Sequence, residues 1–94
     1  MYITWEPAKA KSNLKKHHVD FADAAVALED ENALTILDED HSEIRFRTLA
    51  LAPETNVLLI VHAEQDEETI RIISAREATP KEKQQYYQGD LNDR

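Results

Sequence analysis

Four arginines and a histidine stand in segments that read as β-strands: Arg45 and Arg47 in "EIRFRTLAL", His62 in "NVLLIVHAE", and Arg71 and Arg76 in "TIRIISARE". An arginine on a strand holds a planar fork of donors in a direction fixed by the backbone, and that fork matches a phosphate oxygen. Solubility alone would be served as well by lysine. An imidazole of near-neutral pKa beside guanidinium groups can move a proton while a phosphodiester is cleaved, with the arginines stabilising charge that builds on phosphorus. The plainer alternative is that these are surface side chains lying over an apolar sheet.

Whether the five residues act together depends on how the strands pair. A short joint, "APET", separates the first two long strands and "QDEE" the next two. Joints of that length favour antiparallel hairpins, because a parallel return needs a long crossover. Counting back from "APET" sets Val61 and His62 roughly opposite Arg47, with Arg45 one diagonal step away; counting from "QDEE" sets His62 near Ile70 and Arg71. Three arginines and one histidine then gather at one end of the sheet. A slip of one residue would turn a strand's side chains to the other face.

The remaining elements frame this sheet. After a short strand around Tyr2–Trp5, Pro7 suits the first helical position, and Ala10, Leu14 and His17 follow on one face of a helix ending near His18. Asp20 is a candidate N-cap for a second helix with Phe21, Ala25 and Leu28 on its apolar stripe, ending at the acidic "EDEN". "ALTIL" is a further strand. "TPKE" opens the last helix, with Thr79 as N-cap, Pro80 in the first turn and Glu82 placed to reach back. The expectation is one α+β domain over residues 1–94, its helices gathered on one side of an antiparallel sheet of about four strands and the other side open.

Composition narrows the chemistry. The 94 residues contain no cysteine and a single glycine, Gly89, so thiolate chemistry, disulfides and glycine-rich phosphate loops are excluded. No apolar run approaches the ~20 residues of a membrane helix, and a cytoplasmic location with no membrane association is expected. His17 and His18 are adjacent and His41 lies in an acidic loop, so no histidine spacing suits zinc and no metal is expected. "DEDHSE" lacks the glycine turn of a calcium loop, and Ser12, Ser42 and Ser74 lack the glycines of a nucleophile elbow. Trp5 and Phe21 read as core, and Tyr86 and Tyr87 as packing or base-stacking groups. The net charge of −8 argues against bulk attraction to nucleic acid. The charge is uneven, however. Between Pro7 and Val19 stand Lys9, Lys11, Lys15 and Lys16 with no acid, while the charged side chains from Asp20 to Glu43 are all acids, Asp38 and Asp40 among them. Such a chain can offer a basic face to one partner and an acidic face to another.

Four segments, "WEPAKAKSNLKKHHVDFADAA", "HSEIRF", "LLIVHAE" and "IRIISAREATPKEKQQY", resemble the BrnT family of bacterial toxins in order and spacing. The resemblance implies a small ribonuclease of RelE-like fold that uses no cofactor and is neutralised, in a hetero-oligomer, by a BrnA-like ribbon-helix-helix antitoxin. It also implies attack on RNA through the ribose 2'-hydroxyl, which needs a base, positive charge at the phosphate and an acid. Arg45, His62, Arg71 and Arg76 fall where the family pattern has polar or basic residues, and Lys15, Lys16 and His17 lie in its Asn-Leu-x-Lys-His stretch. On this reading His62 exchanges the proton, Arg45, Arg71 and Arg76 hold the phosphate, and Lys15, Lys16, His17 and Arg47 bind RNA. The competing reading is a noncatalytic module that clasps a partner and helps it repress its own promoter. Two positions depart from the family pattern: His18 replaces a glycine that would form a left-handed C-cap, and Glu6 replaces an aspartate N-cap.

Overall fold

A computed structural model describes residues 1–39 and 42–90. Asp40, His41 and the tail 91–94 lie outside the described residues, and with them part of the acidic loop. The elements follow the order β1 (Tyr2–Trp5), α1 (Pro7–His17), α2 (Phe21–Ala27), β2 (Leu34–Asp38), β3 (Arg45–Leu51), β4 (Val57–Asp66), β5 (Thr69–Glu77) and α3 (Pro80–Gln88), with a single 3-10 turn at Pro53–Thr55 between β3 and β4.

Local chemistry sets the helix boundaries. Glu6 stands extended before α1 and its side chain makes no capping bond, so Pro7 alone shapes that start. At the other end His18 takes the left-handed conformation, φ 60° and ψ 26°, and its N–H reaches Leu14 O at 2.9 Å. This is the position where glycine would carry no Cβ penalty. Asp20 caps α2 by accepting from Ala22 N at 2.9 Å. Thr79 and Glu82 complete a reciprocal capping box, with Glu82 N donating to Thr79 Oγ1 at 3.2 Å and Thr79 N to Glu82 Oε1 at 2.8 Å.

The sheet corrects the expected architecture in two respects. It has five strands in the order β1-β5-β4-β3-β2, and β1 runs parallel to β5, pairing Tyr2 with Thr69 through Trp5 with Ile72. The sheet is therefore mixed rather than antiparallel: the hairpin rule covers strands adjacent in sequence, whereas β1 finds its partner some 65 residues downstream, after both helices and three strands. The helices also divide between the two faces. Phe21, Ala24 and Ala27 of α2 pack with Ala50, Leu58, Ile60, Ile72 and Ala75, joined by Trp5 and by Ala10 of α1. Tyr86 of α3 packs with Leu49, Val57, Leu59 and Ala78, the residues that alternate with the first set and so face the other way. The second face is thus closed by α3 at one end and open at the other.

Past Trp5 the edge of β5 loses its neighbour, and a side chain takes over. Asn13 on α1, 6% exposed, donates through Nδ2 to Ala75 O at 2.8 Å and accepts through Oδ1 from Ala75 N at 3.1 Å. Its Nδ2 also reaches Val19 O at 3.1 Å. The amide reproduces the two bonds a strand neighbour would make, and it fixes α1 against the sheet edge while tying down the joint to α2.

Candidate functional site

Paired residues in neighbouring strands share a face, so the register decides which of the chemically capable side chains meet. One row across β3, β4 and β5 is Arg45, Ala63 and Arg71; the next is Arg47, Val61 and Ser74; the next is Leu49, Leu59 and Arg76. All four arginines therefore lie on the face that α3 closes at one end, and three of them, Arg45, Arg47 and Arg71, flank the two rows it leaves open. Ala63, with an arginine on either side, is only 3% exposed although no helix packs over it in either core cluster.

His62 does not join them. Its ladder partners are Phe46 and Ile72, one position away from Arg47 and Arg71, and that single step turns the ring to the face of α1 and α2. The expected gathering of His62 with the arginines is corrected on this point: the count from "APET" was one residue too loose to fix a side. A bulge between Val61 and His62, where β4 pairs pass from Ser74 to Ile72, shifts the register further. The ring is 6% exposed and stacks on Phe46, with centroids 5.7 Å apart and planes at 22°. Its Nε2 lies 2.8 Å from Thr48 Oγ1, which lies 2.7 Å from Thr35 Oγ1, so a chain of hydroxyls runs from the ring to the edge strand. Nδ1 is buried with no hydrogen-bond partner. Burial holds the imidazole below its usual pKa of 6.5 and keeps it neutral at pH 7.

The arginines differ in what holds them. Arg45 and Arg71 share the carboxylate of Glu43: Arg45 Nε lies 3.2 Å from Oε1 and Arg71 Nη2 lies 2.8 Å from Oε2. The Arg45 hydrogen bond is the largest influence on the Glu43 carboxyl; burial opposes it, and with the added pull of Arg71 the net effect keeps the group below its usual range. Arg76 is gripped by both oxygens of Glu82, at 2.8 and 3.1 Å, and also donates to Glu77 O at 3.2 Å. Because Glu82 is the capping-box residue of α3, Arg76 fastens that helix to the sheet. Burial pushes Glu82 upward in pKa, but the bonds from Arg76 and Thr79 outweigh it and the net shift is down. Among the described residues Arg47 has no acid partner, and its Nε is buried without a hydrogen bond.

Of the α1 residues, Lys16 and His17 line a shallow depression of about 200 Å³ with Lys9, Ser12, Ile73 and Ser74. Ser74 belongs to the Arg47 row, so the depression continues the arginine face around the β5 edge. Lys15 is exposed on α1 but does not line it. Sequence reasoning missed Asn13 and Glu43. A lone asparagine on a polar helix face carries no periodic signal, and Glu43 lies in the bend before β3, outside the alternation of the strand, where the sequence shows it only as the end of the acidic run. Among the described residues no group of three or more histidine, aspartate or glutamate side chains is placed to hold a metal ion, and no helix is long and apolar enough to cross a membrane.

Comparison with known proteins gives two findings. A sequence profile of the family described as "Ribonuclease toxin, BrnT, of type II toxin-antitoxin system" matches residues 5–82. Among solved structures, the crystal structure of the Brucella abortus ribonuclease toxin BrnT superposes with a TM-score of 0.64 at 22% identity, covering 84% of this chain and 97% of that one, a likeness of fold. The curated proteins gave no match. With a profile spanning the residues from the end of β1 to the capping box of α3, the chain belongs to the BrnT family of ribonuclease toxins of type II toxin–antitoxin systems.

Proposed function

We propose that this protein is a metal-independent endoribonuclease of RelE-like type, that it cleaves RNA to inhibit translation, and that it is neutralised by a ribbon-helix-helix antitoxin. The observation that carries this reading is the common face of Arg45, Arg47, Arg71 and Arg76, set on three adjacent strands and continued by Lys16 and His17 at the β5 edge. Rigid strand backbones aim guanidinium groups at one surface, which is what phosphate binding and stabilisation of a pentacoordinate phosphorus require. Arg47 is the first candidate phosphate ligand, since no carboxylate among the described residues holds it and its Nε makes no hydrogen bond within the fold. Arg45 and Arg71 flank the next row. Arg76 borders the site while bracing α3, and Lys15 adds charge from the exposed side of α1. His62, behind the sheet, acts as a positioning residue: its stacking on Phe46 sets the segment of β3 between Arg45 and Arg47.

The reading is tested with purified protein freed of its antitoxin, labelled RNA and a chelator. Cleavage is expected in the wild type. Arg47→Ala and Arg71→Gln should lower it by on the order of 100-fold, as loss of one charge-stabilising donor does, while circular dichroism stays unchanged. Arg76→Ala is a poorer probe, because it also releases α3. Three of the four arginines already hold acids of this chain or brace its fold, and that favours the alternative of a noncatalytic partner-binding module acting in autoregulation. If folded wild type leaves RNA intact with and without ribosomes, the noncatalytic module stands and the nuclease falls.

A further inference from the structure

Glu43 sits in the anion position of the arginine face. Its two carboxylate oxygens contact guanidinium groups from two different strands, Arg45 of β3 at 3.2 Å and Arg71 of β5 at 2.8 Å, which flank Ala63 of β4. Two arginines held a strand apart across a small residue form a gap that one singly charged, two-oxygen anion fills. The anion that fills it here comes from the segment just before β3, with a side chain 41% exposed to solvent. We propose that the Arg45–Arg71 gap is a phosphodiester site for RNA, closed in the free protein by Glu43, and that RNA enters by exchange with this carboxylate.

A phosphodiester has the same single charge and two unesterified oxygens to divide between the two forks, so the exchange leaves the charge of the gap unchanged. Exposed ion pairs on a protein surface are weakly held, and the side chain of Glu43 can swing into water without disturbing the ladder. Arg47, one row along the sheet at about 7 Å by strand rise, then takes the neighbouring phosphate of the same strand. Glu43 thereby lowers the positive charge of the face and blocks the gap to stray anions until a polyanion engages both rows at once. This inference rests on the proposed RNA reading.

The test uses a 2'-O-methyl RNA oligonucleotide, which lacks the attacking hydroxyl, with binding followed by fluorescence anisotropy at fixed salt. Glu43→Gln keeps the shape of the side chain and removes its charge; it should bind about 2- to 10-fold more tightly than wild type, the range expected on releasing two exposed ion pairs. Glu39→Gln removes the same charge from an exposed position with no arginine contact, and it should bind as wild type does. Arg71→Gln should weaken binding in the wild-type and Glu43→Gln backgrounds alike. If the wild type binds and Glu43→Gln binds no more tightly than Glu39→Gln, the exchange is overturned while the RNA reading stands. If neither wild type nor Glu43→Gln binds, the RNA reading fails and takes this inference with it.

Discussion

A neutral imidazole sealed between Phe46, Thr48 and the helix-covered face makes His62 a liability in acid, and the sign of the effect follows from its depressed pKa. Between its folded value and the usual 6.5, the unfolded chain binds a proton that the folded chain refuses. Stability is therefore complete above about pH 6.5 and is lost as pH falls from there toward the folded pKa, with a limiting slope of about 1.4 kcal/mol per pH unit. The carboxylates with lowered pKa, Asp30, Glu43, Asp66 and Glu82, weaken the fold only below their ordinary values of 3.8 and 4.5, so their window lies lower. Urea unfolding followed between about pH 5 and pH 8 should show the slope in wild type and its loss in His62→Leu. Equal slopes in both proteins would mean that the ring is open to solvent.

Among the elements, α1 depends most on one contact. Its exposed face is rich in lysine and its N-cap residue makes no side-chain bond, so little in the helix itself holds it in place. The Asn13 amide makes two bonds with the backbone of β5 and one with Val19 O, and Asn13→Ala would leave the N–H and C=O of Ala75 buried and unpaired. A loss of about 2–4 kcal/mol is expected from two or three such groups, read as a lowered urea midpoint. A midpoint within about 0.5 kcal/mol of wild type would mean that water replaces the amide without cost. The same residue marks where the sequence stops being legible. Helix starts at Pro7, Asp20 and Thr79 could be read because caps act within three or four residues, and β2 to β5 because hairpins join neighbours in the chain. The β1–β5 pairing and the Asn13 bridge span more than 60 residues, and no local pattern announces them. The candidate site fell between these cases: the strands bearing the arginines were readable, whereas the side on which His62 emerges turned on one ladder step.

For the whole molecule the charge separation seen along the chain becomes a division of labour, though a less simple one than the run from Asp20 to Glu43 suggests. Several of those acids work inside the fold. Asp20 caps α2, Glu43 spans Arg45 and Arg71, and Asp30 accepts from Leu51 N at 2.8 Å and from the hydroxyl of Tyr86, whose pKa is pushed up to about 12, first by burial and then by Asp30. Asp23, Glu29, Glu31 and Glu39 are exposed. Glu31 borders a groove of about 620 Å³ alongside Leu34, Leu51 and the exposed ring of Tyr87; Glu39 lines a second depression with Glu43 and with Leu37 and Ile44, which are 48% and 68% exposed. Acid beside apolar surface in both places suits an antitoxin segment that carries lysine or arginine among apolar side chains. Glu31→Lys combined with Glu39→Lys should weaken antitoxin binding by about 10-fold or more and flatten its dependence on salt, while RNA cleavage by the free protein stays as it was, since neither residue belongs to the arginine face. Calorimetric titration against the purified antitoxin reads the first effect and the labelled-RNA assay the second. Unchanged affinity would place the antitoxin elsewhere on the surface, since reversing two exposed acids at a docking face must cost the attraction they supply.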